Sequence, residues 1–224
     1  HLRTQSHSIE QARIKELDTF VNQASAFSIL TKPSAFQYTI GQRDRLSFND
    51  VKLMNRIYCS DRCRTSTKCH NGGYQHPNHC NICLCPAGFT GAHCEQIDSE
   101  KVCGSSRIKL SQNRITRLTS PNYPRGYKTP IFCAWLIETE NSNDRILLKF
   151  TNLMDLYCDI RKMTCLDYVE IRNSTDLSNT GMRFCCMNRP EYQILSESNK
   201  MLVLYNSFYR YGQGFDITVD SVRS

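Results

Sequence analysis

Four histidines, His70, His76, His79 and His93, stand among closely spaced cysteines, and Cys80-x-x-Cys83 has the spacing of half a zinc site. A closed tetrahedral site needs a second half, and no matching spacing supplies one. All 13 cysteines fall at or after Cys59, a density that belongs to an oxidising, secretory compartment. The sulfur chemistry of this stretch is therefore read as disulfide formation, with metal binding as the displaced alternative. Cys63 to Cys94 spans too little chain to hold itself with a hydrophobic core. Covalent staples, each contributing about 2–4 kcal/mol, must do so, and the cysteines alone leave their pairing open.

Elements must position these residues. In "SIEQARIKELDTFVNQA", Ile9, Ala12, Leu17, Phe20, Val21 and Ala24 recur at three- and four-residue steps, predicting an amphipathic helix capped by Ser8. Its mixed charges fit a packing helix better than a membrane-surface one. Ser47 with Asp50 three residues on starts a second helix, with Val51, Met54 and Tyr58 on one face, Leu53 and Ile57 beside it, and Cys59 at its end. After the connector "EQIDSEKV" the chain reads as all-β. Ile146, Leu148 and Phe150 alternate with Leu147, Lys149 and Thr151, and Val169 and Ile171 with Tyr168, Glu170 and Arg172. Phe215, Ile217 and Val219 alternate with Asp216, Thr218 and Asp220, so short strands between turns such as "SPNYPRGY" predict an antiparallel sandwich.

Composition narrows the partners. The net charge of +7 comes from basic residues spread along the chain, which excludes a nucleic-acid footprint. No apolar run approaches the roughly 18 residues of a membrane span. The chain opens on His1, which fits a removed signal peptide or a missing N-terminus. Asn173-Ser174-Thr175 is a glycosylation sequon, consistent with secretion to the extracellular space.

Three resemblances order these observations. "CRTSTKCHNGGYQHPNHCNICLCPAGFTGAHC" resembles an EGF-like module, with Gly88 and Gly91 in its closing hairpin. That resemblance implies Cys63 with Cys80, Cys69 with Cys83, and Cys85 with Cys94. "ITRLTSPNYPRGYKTPIFCAWLIE", "CLDYVEIRN" and "LYNSFYRYGQGFDITV" resemble a CUB domain. This implies Cys103 with Cys133, and Cys158 with Cys185 or Cys186, Cys165 taking the remaining one. Trp135, beside such a disulfide, reads as buried packing and not as a ligand anchor. Many CUB domains bind calcium through an acidic trio. Asp167 matches one position, but the others fall at Leu156, with Asp155 out of register, and at Ser207, so no calcium site is expected and Asp167 is the only remaining candidate.

"YTIGQRDRLSFNDVKLMNRIYC" resembles the C-terminal segment of nematode-type astacin zinc metalloproteases, over residues 27 to 59. In that family three histidines of a His-Glu-x-x-His-x-x-Gly-x-x-His helix hold zinc, and the Glu is the general base. Here His1 and His7 are the histidines before Cys59 and neither precedes a Glu; Val21-Asn22-Gln23 stands where a Met-turn belongs. Residues 1 to 24 are thus expected to leave the astacin pattern, and the chain is expected to have no catalytic residues and no cofactor, zinc belonging to the full-length family.

The resulting expectation is a mainly β protein. A short α-helical astacin remnant fills residues 1–58, a disulfide-rich EGF-like module 59–94, a linker 95–102, and a jelly-roll-like CUB sandwich 103–224. Its expected role is non-catalytic recognition of extracellular proteins or matrix substrates. An active astacin metalloendopeptidase, of which these residues are part, and a stand-alone matrix adhesion protein are the alternatives. The binding candidates are Phe208, Tyr209, Arg210 and Tyr211 in "NSFYRYGQG", since Tyr and Arg commonly anchor interfaces. Cys59 is the cysteine left unpaired, its counterpart in the family bridging back to the catalytic domain.

Overall fold

The computed structural model describes residues 29–42, 45–159, 164–187, 189–209 and 212–223. The helix expected over Ser8 to Ala24 lies outside them. Helix α1 runs Phe48–Tyr58 because Ser47, in extended conformation, receives the Asp50 N–H on its hydroxyl at 3.1 Å. The apolar stripe read from the sequence is not its packing face. Val51, Met54, Ile57 and Tyr58 are exposed, and the contacts come from the adjacent face. The Phe48 ring lies 5.4 Å from that of Tyr74, Asn55 Nδ2 donates to the Tyr74 hydroxyl at 3.0 Å, and Lys52 Nζ donates to the Gly72 carbonyl at 2.7 Å. The neighbour offers a phenol and a carbonyl, so a mixed polar and aromatic face is the one that it attracts.

That neighbour is the small unit from Cys63 to Ile97. Strand β1 (Tyr74–Gln75) pairs with β2 (Cys83–Leu84), and β3 (Phe89–Thr90) with β4 (Gln96–Ile97). Disulfides join Cys63 to Cys80, Cys69 to Cys83 and Cys85 to Cys94.

The remaining strands are β5 (Arg107–Leu110), β6 (Thr116–Thr119), β7 (Ile131–Thr139), β8 (Asp144–Phe150), β9 (Cys158–Asp159), β10 (Thr164–Cys165), β11 (Tyr168–Arg172), β12 (Met182–Phe184), β13 (Ile194–Leu195), β14 (Lys200–Ser207) and β15 (Asp216–Arg223). They form a five-stranded sheet in the order β12-β11-β14-β7-β5 and a four-stranded sheet in the order β13-β8-β15-β6, with β9 and β10 as a separate pair. Pairing is antiparallel except for β5 along β7. Ile146, Leu148, Val169, Ile171, Phe215, Ile217 and Val219 all lie in the core between the sheets, as their alternation requires. Trp135 is fully buried at the centre, its Nε1 donating to the Cys103 carbonyl at 3.1 Å. Cys103 pairs with Cys133, Cys158 with Cys186, and Cys165 with Cys185.

Alternation fails on the outer face of the five-stranded sheet. Ala134, Leu136, Leu202 and Leu204 point away from the sandwich core yet are buried, because Phe89, Cys83 and Cys94 of the small unit pack on them together with Leu177. A sheet covered on both faces loses its polar side. A Cβ on Gly88, which has φ +92°, would stand 2.6 Å from Leu204 Cδ2, so only glycine allows this approach. The connector after Cys94 is bonded in as well: Phe132 N–H donates to Glu100 Oε1 at 2.7 Å and Ala134 N–H to Ser99 Oγ at 3.0 Å.

Glu170 and Arg172, which the alternation places on a polar outer face, are buried there instead. Glu170 accepts from Arg172 Nε at 2.7 Å, Arg183 Nε at 2.9 Å and the Gly181 N–H at 3.0 Å. Arg172 Nη1 continues to the Ala87 carbonyl of the small unit at 3.2 Å and the Leu177 carbonyl at 2.9 Å. Upstream, Thr39 Oγ1 receives the Arg183 N–H and donates to the Gly181 carbonyl, both at 2.9 Å, which caps the edge strand β12. Burial of these charges is possible because each meets an opposite charge or a carbonyl.

Candidate functional site

The loops at one end of the sandwich are tied together through Asp167. This carboxylate is fully buried. One oxygen accepts the N–H groups of Phe208 at 2.7 Å and Tyr209 at 3.0 Å; the other accepts the Tyr127 hydroxyl at 2.9 Å. The Tyr127 oxygen in turn receives the Tyr157 N–H at 3.2 Å. Burial raises the Tyr127 phenol far above its ordinary pKa, with Asp167 adding to the rise, so it stays a neutral donor. Asp155 bridges to Gly214 and accepts the Gln213 N–H at 3.1 Å. The segments 123–127, 155–157, 167, 207–209 and 212–214 thus form one polar-anchored platform.

On this platform Phe208 is 64% and Tyr209 54% exposed, with their rings 5.5 Å apart and Tyr157 a further 6.3 Å from Tyr209. Arg210 and Tyr211 lie outside the described residues. At the same end of the sandwich an open cleft of about 340 Å³ is lined by Pro124, Arg125, Gly126, Asp155, Gly212 and Gln213. Two exposed rings on a backbone fixed from beneath are suited to burying a partner's surface, because little order remains to be gained on binding.

Both Asp167 oxygens are engaged by donors, Leu156 is buried and apolar, and Ser207 is buried. No group of three His, Cys, Asp or Glu able to hold a metal occurs among the described residues. The cysteines around His70, His76, His79 and His93 are all in disulfides, so none is a thiolate ligand. His76 Nδ1 instead accepts the N–H groups of Asn78 at 3.0 Å and His79 at 3.2 Å. Cys59, at the end of α1, is the cysteine outside a disulfide among the described residues and is partly exposed. Asn173 sits in the turn after β11. Sequence reasoning missed Tyr127 and the Glu170 cluster, since each functions through partners far away in the chain.

Comparison with known proteins places these features. Residues 103–218 match the CUB domain family. Residues 15–59 match Astacin (Peptidase family M12A). The astacin pattern therefore continues upstream of residue 24, correcting the break inferred from the missing Met-turn: one absent turn does not interrupt the pattern of the segment around it. The chain is 48% identical over 195 residues to zinc metalloproteinase dpy-31 of Brugia malayi, covering 86% of this chain and 32% of the relative. The Caenorhabditis elegans dpy-31 is 45% identical over 198 residues, covering 88% and 33%, and its nas-36 is 39% identical over 198 residues, covering 87% and 31%. The chain spans about a third of the length of these curated relatives. Against solved structures, the CUB1-EGF-CUB2 domain of human MASP-1/3 aligns with a TM-score of 0.46 at 19% identity, over 76% of this chain and 57% of that one, a likeness too loose to argue from. With the CUB match covering more than half of its residues, the chain belongs to the CUB-domain proteins and carries ahead of that domain a fragment of the astacin peptidase pattern.

Proposed function

We propose that the chain is the non-catalytic C-terminal region of a secreted astacin-type zinc metalloendopeptidase. In this reading an EGF-like module at 59–94, joined through 95–102 to a CUB domain at 103–224, recognises extracellular proteins or matrix substrates. The observation that carries the proposal is the exposed pair Phe208 and Tyr209, held from beneath by the buried Asp167 carboxylate. Aromatic rings on rigidly anchored loops are frequent anchors of protein interfaces. Six disulfides support an extracellular setting. The relatives named zinc metalloproteinase favour a protease appendage over a stand-alone matrix adhesion protein.

The family's zinc would need three convergent histidines and a glutamate base. His1 and His7 are the histidines ahead of Cys59 and neither is followed by Glu, so the residues here do not fit the metal and no bond-breaking step is assigned to them. The test is retention of the full 224-residue chain on immobilised extracellular matrix proteins. Phe208→Ala with Tyr209→Ala is expected to leave the melting temperature unchanged and to reduce retention severalfold. Retention equal to the parent's removes this surface from the reading.

A further inference from the structure

We propose that Asn173 carries an N-linked oligosaccharide whose first sugars cover the exposed apolar side chains at the edge of the four-stranded sheet. Asn173-Ser174-Thr175 has the spacing of an acceptor, and the disulfides belong to the compartment in which acceptors are used. The fold adds what the motif alone lacks. The sequon occupies the turn between β11 and β12, where Thr175 is exposed, and the turn is fixed at both ends of the motif. Glu197 N–H donates to the Asn173 carbonyl at 2.8 Å, and the Thr175 N–H donates to Glu197 Oε2 at 3.2 Å.

Asn173 Nδ2 donates to the Leu195 carbonyl at 2.9 Å. A primary amide has two hydrogens, and this bond uses one. Glycosylation replaces one of the two. The anomeric carbon of the donor sugar exchanges its bond to a phosphate oxygen of a lipid-linked oligosaccharide diphosphate for a bond to Nδ2. Nδ2 releases one proton, and the lipid diphosphate leaves with the electron pair of the broken C–O bond. One hydrogen remains on Nδ2 as a donor.

Leu195 belongs to β13, which ends the strand order β13-β8-β15-β6 and has no further strand beside it among the described residues. Leu195 is 43% exposed and Tyr192, just ahead of the strand, 48%. Exposed apolar side chains beside a short edge strand invite association with another chain. A glycan rooted one hydrogen bond from that edge covers it with a polar, bulky group.

The experiment uses the full chain secreted from a eukaryotic host. Peptide mapping is expected to find an oligosaccharide on Asn173 and, after N-glycosidase treatment, aspartate at 173. Thr175→Ala, which keeps the amide of Asn173, is expected to lose the glycan, and Thr175→Ser to retain it. The parent deglycosylated in its folded state is expected to show a severalfold larger oligomer fraction by light scattering at equal concentration, as is Thr175→Ala where it is secreted. Unmodified Asn173 in the secreted parent overturns the site. Equal oligomer fractions with and without the glycan overturn the shielding.

Discussion

Replacing Glu170 by glutamine removes one charge from a cluster that joins three parts of the chain. Burial alone would raise the pKa of this carboxyl, but the guanidiniums of Arg172 and Arg183, with the Gly181 N–H, outweigh it and hold the pKa at about 2. Against an ordinary value of 4.5, a depression of that size corresponds to roughly 3 kcal/mol of stability at neutral pH. The sign follows from the depression. The contribution is complete above the unfolded pKa and is lost as pH falls through the folded value, so the window is from about 4.5 to about 2. Glu170→Gln leaves two guanidiniums buried without their counter-charge, and breaking such a pair from one side costs about 3–5 kcal/mol.

For a protein of this size that loss lowers the melting temperature by about 6–20 °C at pH 7. Thermal unfolding of parent and variant across pH is the assay. The gap between them is expected to be widest above pH 5 and to narrow towards pH 2, because the parent loses its advantage there. Hydrogen exchange supplies a local readout at the Gly181 N–H, which loses a charged acceptor, and at the Arg183 N–H, which bonds Thr39. A variant within about 2 °C of the parent at pH 7, or a gap that stays constant with pH, refutes the reasoning.

Phe89→Ala removes a ring from the apolar contact with Leu136, Leu202 and Leu204 and is expected to cost about 3 kcal/mol and to split unfolding into two transitions by calorimetry; a single transition unshifted from the parent's refutes the coupling. Alkylation of the non-reduced protein is expected to label Cys59 alone, and a label on any other cysteine refutes the pairing scheme. Calcium is expected to leave the melting temperature unchanged, whereas Asp167→Ala, which strips three donors of their acceptor, lowers it with or without calcium; a calcium-dependent rise abolished by Asp167→Ala means that the carboxylate is a ligand.

What could be read from the sequence was what depends on near neighbours in the chain. Period-two alternation put Ile146, Leu148, Ile217 and Val219 on the inner faces, because a pleated strand turns successive side chains to opposite sides. Ser47 and Asp50 marked the start of α1 for the same local reason. The same alternation misplaced Glu170 and Arg172, since whether an outer face meets water is decided by a unit that lies some 80 residues earlier, with Ala87 its point of contact. The exposed apolar residues of α1 show the converse: periodicity identified an apolar stripe, but the small unit bound a neighbouring face through Tyr74 and Gly72. At the sandwich end the rings of Phe208 and Tyr209 were legible as residue types, whereas their anchoring was not. Asp167 was singled out as a match to a calcium ligand, a reading that says nothing of its protein partners. Folding gives its oxygens to Tyr127, 40 residues before, and to two backbone amides, 41 and 42 residues after. A carboxylate so bonded is an internal tie, fixing from beneath the backbone of the two residues whose rings are exposed.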